Sequence, residues 1–286
     1  MQSRFTPQEL YYRLNWRAHG IHAAAHQTSN RGSGLDFCGY APFLDYPNPR
    51  RLDLRASLRS IPRQYVVRSY YERGAVNVYA LVDMSSSMHY TGNADKQKLL
   101  ADISASIAWS ANLSGDAFGL LASDDSIRND LHIYPSRQRN TAQETFSKLS
   151  NATINDLQSA KALPLAAGQV SHHRSLVFLI SDFHLEADLL KQTLRTLSAH
   201  DVVPVVLWDS AEYEDLPKWG WARIRDMESG HERSLFLRKT VTHNIQASYL
   251  QRRNRLKAMC REYGLRSPFF VGNTYSAEAL TRHLLG

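Results

Sequence analysis

Apolar positions along the chain follow two patterns. Continuous runs at Val76-Asn77-Val78-Tyr79-Ala80-Leu81-Val82, at Leu176 to Ile180 and at Val202 to Leu207 have the length of single strands. Unbroken apolarity at that length points to strands buried on both faces. Between the runs, apolar residues recur at helical spacing. Leu99, Ile103 and Ile107 mark a helix over about 95–113, and further helices are expected over 141–150, 155–168, 186–200, 244–263 and 277–284. Ala117 to Ala122 reads as a strand with Leu131 to Tyr134 hairpin-paired to it, and Pro268 to Val271 as the last strand. Alternating strands and helices predict an α/β fold, a doubly wound and mostly parallel sheet covered on both faces, over residues 75–286.

Residues 1–74 lack this regularity. Thr6-Pro7-Gln8-Glu9 has the order of a helix start, with Leu10 and Leu14 as its apolar side. His19, His22 and His26 would fall near one face if that segment were helical, but no cysteine or carboxylate accompanies them as a metal ligand. Asn30 to Gly34 and Tyr46-Pro47-Asn48-Pro49 are rich in turn residues. One short helix with long turns buries too little to fold alone, so 1–74 is expected as an N-terminal extension packed on the sheet. The segment 209–242 is also read as loose.

Hydrophobic residues make up 43% and charged residues 21%, so a real core is expected. The net charge of +7 permits an acidic partner but does not demand one. Arg50, Arg51, Arg55, Arg59, Arg63 and Arg68 form the most basic stretch. Arg51, Arg55 and Arg59 are the candidate partner-facing residues. No base-stacking motif accompanies them, so nucleic acid is the weaker alternative. Two cysteines, Cys38 and Cys260, imply no disulfide framework. No secretory signal and no run of about 20 apolar residues is present, so a cytoplasmic protein without a membrane span is expected.

The chemistry concentrates at Asp83-Met84-Ser85-Ser86-Ser87-Met88, just past the first apolar run. A carboxylate and two hydroxyls, two residues apart, leave the carboxyl end of a buried strand, where open α/β sheets bind ligands. Oxygen-only donors suit Mg²⁺, with Ca²⁺ or Mn²⁺ as alternatives. Asp182 repeats the arrangement after the run that starts at Leu176. If the two strands are neighbours, both carboxylates meet in one crevice. A further oxygen is expected from a loop, from Thr153 or alternatively Thr141. Two acidic side chains leave room for a carboxylate supplied by a partner. The chain has no G-x-S-x-G elbow, H-E-x-x-H or P-loop, so a binding protein and not an enzyme is expected. His89 and His184 closely follow the two aspartates and keep open a Mg²⁺-dependent hydrolase with either as general base.

The pattern D-x-S-x-S resembles the metal-ion-dependent adhesion site of von Willebrand factor type A domains, and residues 75 to about 210 resemble that fold. The likeness extends to the bacterial domain-of-unknown-function family fifty-eight. Segments similar to its blocks are Gly32 to Phe37, Arg51 to Ser57, Val67 to Arg73, Ser114 to Leu120, Ser181-Asp182-Phe183 and Arg225 to Gly230. Leu54 stands where the family usually carries Trp, and Tyr46-Pro47-Asn48-Pro49 replaces a Pro-Gly-Asp turn. The resemblance implies Mg²⁺ held by Asp83, Ser85, Ser87, Thr153 and Asp182. It also implies an adaptor role, working with a MoxR-type AAA+ ATPase that remodels or matures a client protein.

Overall fold

A computed structural model describes residues 6, 8–14, 16, 26–32, 36–155, 157–216, 219–225 and 232–286. They divide into two units: Arg13–Val76 with Ser114–Asp116, and Met1–Tyr12 with Asn77–Leu113 and Ala117–Gly286.

The first unit holds β1 (His26–Gly32), β2 (Asp36–Pro42), the short helix α1 (Leu54–Arg59) and β3 (Val66–Gly74). The strands form an antiparallel sheet in the order β1-β3-β2. The irregular chain expected here is thus corrected to a sheet. β1 reads His-Gln-Thr-Ser-Asn-Arg-Gly, with no apolar alternation, and its partner lies far along the chain, His26 opposite Gly74. Pairing of that kind leaves no local signal. His26 is a strand residue, its Nε2 2.8 Å from Asp116 Oδ2, while His19 and His22 lie outside the described residues. Asp53 caps α1 by accepting from the Ala56 N–H at 3.0 Å, and its other oxygen pairs with Arg68 at 2.9 Å. Arg55 and Arg59 lie one turn apart on α1 and are exposed, lining a shallow groove beside Asp53 and Arg68. Arg51 instead stacks over Tyr70, 4.7 Å from the ring centre.

The second unit continues with β4 (Asn77–Asp83), α2 (Lys96–Ser114), β5 (Ala117–Ser123), β6 (Ile133–Ser136), α3 (Thr141–Ser150) and α4 (Leu163–Ala167). β7 (Leu176–Ser181), α5 (Ala187–Leu197), β8 (Asp201–Leu207), β9 (Gly220–Arg225) and β10 (Glu232–Leu237) follow. The last elements are α6 (Lys239–Glu262), β11 (Phe269–Val271) and α7 (Ala277–Leu285). The main sheet has the order β11-β8-β7-β4-β5-β6, parallel except for the edge strand β6. From β4 the chain builds outwards through β5 on one side and through β7, β8 and β11 on the other. The gap between β4 and β7 is therefore where the winding reverses, the usual ligand position of such sheets. β5, β7 and β8 are buried along their whole length, as expected of strands covered on both faces. One face packs Tyr79, Leu81, Val177 and Leu179 against Leu163, Leu194, Leu256 and Met259 of the helices.

Three expectations fail in this unit. No helix starts at Thr6: residues 8–14 form neither helix nor strand, with Leu10 and Tyr12 buried and Tyr11 between them exposed. Their amides are satisfied by distant side chains. Leu10 N–H donates to Ser110 Oγ at 2.9 Å and Tyr11 N–H to Thr281 Oγ1 at 3.0 Å. The helix expected over 155–168 shrinks to 163–167, because the chain before it is pinned elsewhere: the Ala162 N–H donates to the Asp124 carbonyl and Ser159 Oγ to the Asp125 carboxylate. The loose segment 209–242 contains the antiparallel hairpin β9–β10. Among the described residues, no helix is long and apolar enough to cross a membrane.

The two cysteines differ in burial. Cys260 on α6 is buried and its thiol is pushed up to about 12 by that burial, while Cys38 on β2 is half-buried. A disulfide-exchange reagent at pH 8 is expected to titrate one thiol in the native protein and both after denaturation. Two fast thiols without denaturant would contradict the packing of α6.

Candidate metal centre

β4 and β7 run side by side with Val82 opposite Ile180. That register carries Asp83 and Asp182 into one crevice at the carboxyl edge of the sheet, both buried. Residues 83–88 then alternate in role. Met84 and Met88 point into the core, Ser85 and Ser87 place their hydroxyls 3.1 Å apart, and Ser86 turns away. Ser86 Oγ donates to the Asn155 carbonyl at 2.9 Å and accepts from the Gln158 N–H at 2.7 Å, which anchors the loop beyond α3.

Each aspartate is held from its own chain and across the strands. Asp83 Oδ1 accepts from the Ser85 N–H at 2.9 Å, and Oδ2 accepts from Ser181 Oγ at 2.7 Å. Asp182 Oδ1 accepts from the His184 N–H at 3.0 Å, and the Ser87 hydroxyl also donates to this carboxylate. Phe183 between them adopts a left-handed backbone, φ 54°, and its N–H donates to Ser181 Oγ at 2.9 Å. A bulky residue in that region stores local strain, a frequent mark of functional turns.

The electrostatics separate the two carboxyls. Burial, and then the neighbouring Asp182 charge, push Asp83 up to about 6 against the bonds from Ser181 and Ser85. Burial also works to raise Asp182, but the charges of His184 and Lys96 and the His184 N–H outweigh it and hold the group below the usual carboxylate range.

Lys96, the first residue of α2, was not anticipated. Only 2% exposed, its ammonium lies 2.6 Å from Glu212 Oε1 and 3.4 Å from Asp182 Oδ2. A basic residue at a helix start reads as surface, and its partner Glu212 is remote in sequence. Asp124 and Asp209 are also buried at strand ends. Ser126 and Arg128 satisfy Asp124, and the Ala94 and Ala211 amides satisfy Asp209. A methyl group added at Gly92 would fall 2.7 Å from Asp209 Oδ2, so only glycine lets the two loops approach so closely.

Four of the five expected ligands are brought together: Asp83, Ser85, Ser87 and Asp182. Thr153 is exposed, its carbonyl accepts from Arg128 at 3.0 Å, and no hydrogen bond joins its hydroxyl to the four. Thr141, the alternative, donates to the Gln138 carbonyl at 2.6 Å as the first residue of α3. His89 is exposed. His184 is largely buried, which holds its imidazole below the ordinary value, and packs beside Trp208 and Tyr249. Beyond those rings a cleft of about 490 Å³ is lined by Trp208, Tyr213, Tyr249, Leu250, Arg253 and Phe270. Leu250 of α6 is exposed at this cleft.

The donors fit a hard divalent cation in kind. They are all oxygens, two from buried carboxylates whose mutual repulsion a cation would relieve. The Ser123 hydroxyl, in register with Asp83, is buried without a hydrogen-bond partner, as is His184 Nε2. Among the described residues, no three His, Cys, Asp or Glu side chains form a metal-binding group, so the hydroxyls are needed to complete a site.

Fold and site together define an α/β protein with a buried acidic crevice at the reversal point of a mostly parallel sheet. The chain belongs to the family described as Protein of unknown function DUF58, which matches residues 48–255. Among solved structures it is similar to the conserved hypothetical protein BatB from Bacteroides thetaiotaomicron, at 13% identity over 74% of this chain and 98% of that one, TM-score 0.43. An aerotolerance-related membrane protein from Bacteroides fragilis is similar at 10% identity over 74% of this chain and 97% of that one, TM-score 0.41. No curated protein matches the chain.

Proposed function

We propose that the chain is a metal-dependent protein-binding adaptor built on a von Willebrand factor A-type domain. The observation that carries this reading is the convergence of Asp83 and Asp182, with the Ser85 and Ser87 hydroxyls, on one crevice. Asp83, Ser85, Ser87 and Asp182 would hold Mg²⁺, and the bound ion would offer an open position to an oxygen of a partner. Ser181 and the Ser85 N–H orient Asp83, and the His184 N–H orients Asp182, so the donors are set before any ion arrives. The aromatic cleft beside His184 supports a partner side chain bound next to that oxygen. Arg51, Arg55 and Arg59 are proposed as a second contact surface. The partner is proposed to be a MoxR-type AAA+ ATPase with its client, in the cytoplasm, and no chemical step is assigned to the chain.

Calorimetric titration of the full chain with MgCl₂ tests the first step, with saturable uptake expected for the parent and none for Asp83→Ala. A purified MoxR-type ATPase should then be retained on the parent in Mg²⁺ and released by chelator. Absence of uptake at saturating Mg²⁺, or equal retention by Asp83→Ala, would sink the reading.

A further inference from the structure

Lys96 sits where a lysine is costly. A cation in the first turn of a helix opposes the helix dipole, and a buried ammonium loses its hydration. α2 has no acidic residue in its first turn to offset this. Asp95, just before the helix, caps it through the Lys98 N–H at 3.0 Å, and the ammonium itself is met in the crevice, with the Tyr90 ring centre 5.6 Å away. The ammonium has three protons and three acceptors: Glu212 Oε1 at 2.6 Å, Asp182 Oδ2 at 3.4 Å and the Ser87 carbonyl at 3.5 Å. Two of those acceptors belong to residues of the proposed metal site. Glu212 does not, and it is fixed in turn by the Tyr249 hydroxyl, which donates to Oε2 at 3.2 Å.

Resting on the metal-site reading above, we propose that Lys96 is a tethered counter-ion of the site. Its ammonium balances Asp182 when no divalent ion is bound and yields that carboxylate to an incoming ion while keeping Glu212. An ammonium and a divalent cation repel each other and compete for the same carboxylate charge, so Lys96 limits how tightly the site holds its ion. Glu212, the closer partner, gives the displaced ammonium a place to remain. Divalent occupancy is thereby coupled to the turn at Ser210–Glu212, which lies next to the aromatic cleft.

Two substitutions in the full chain should move affinity in opposite directions. In calorimetric titrations with MgCl₂, Lys96→Met is expected to bind at least about tenfold tighter than the parent, the scale of changes just outside a metal's ligand shell. Glu212→Gln removes the competing carboxylate charge, leaves Asp182 as the ammonium's charged partner, and is expected to bind several-fold more weakly. Thermal melts give a second readout: Lys96→Met melts lower than the parent without metal and gains more from added Mg²⁺. Glu212→Gln keeps the proposal open to refutation should Lys96→Met fail to fold. Uptake by the parent with Lys96→Met no tighter, or with Glu212→Gln unchanged, overturns the role of Lys96 alone. No uptake by any of the three chains, and no Mg²⁺-dependent gain in melting, overturns the metal site and this role with it.

Discussion

Asp83→Asn is expected to remove divalent uptake and, at pH 8, to make the metal-free protein more stable by about 1–3 kcal/mol. The first effect follows because changes to residues that merely orient ligands already cost about 10–100-fold in affinity, and a lost ligand costs more. The second follows from the direction of the Asp83 shift. Its carboxyl is pushed from the ordinary 3.8 up to about 6, mainly by burial. A folded value above the unfolded one favours the fold fully below 3.8, and that contribution is lost as pH rises through about 6. The difference is worth about 3 kcal/mol. The neutral amide escapes it but mismatches one bond with Ser181, which lowers the gain. Urea melts of parent and variant should therefore agree near pH 4, diverge as the pH rises towards about 6 and stay a constant distance apart above it. A variant less stable than the parent at pH 8 would show that Asp83 is not a buried, burdened carboxylate.

Phe178→Ala is expected to cost about 3–5 kcal/mol, the range for a large side chain deleted from a core. Phe178 is fully buried in the middle of β7, between Ala80 of β4 and Val203 of β8. The loss is a large share of the roughly 5–15 kcal/mol that keeps a domain folded. The denaturation midpoint should fall with little change in slope. A loss under about 1 kcal/mol would mean that the face of β7 bearing Phe178 is loosely packed.

What the residues revealed in advance follows from how far apart the deciding contacts are. β4, β7 and β8 were legible because burial on both faces writes a continuous apolar run into the chain. The helix at Thr141–Ser150 was legible because its apolar residues share one face, with Ala142, Thr145, Phe146 and Leu149 buried. Asp83 and Asp182 were found because each follows such a run. The polar sheet β1-β3-β2 was invisible, since only long-range pairing makes it a sheet. The helix start at Thr6 was a sound local signal that lost to tertiary contacts, with Ser110 and Thr281 taking the amides of Leu10 and Tyr11. Lys96 carries no local signal, because a lysine is normally solvated and only the fold brings Glu212 and Asp182 around it.

The order of strands also bears on how the protein is made. β4 meets β5 soon after it emerges from the ribosome, but Ala80 has Phe178 as its neighbour on the other side, and that residue is synthesised much later. During that interval one edge of an apolar strand has no partner, and the crevice has only one of its two carboxylates. Non-local parallel pairing of this kind folds slowly and exposes sticky edges on the way. Production of the protein should therefore be sensitive to chaperone supply and growth temperature, and nascent chains halted before β7 should aggregate.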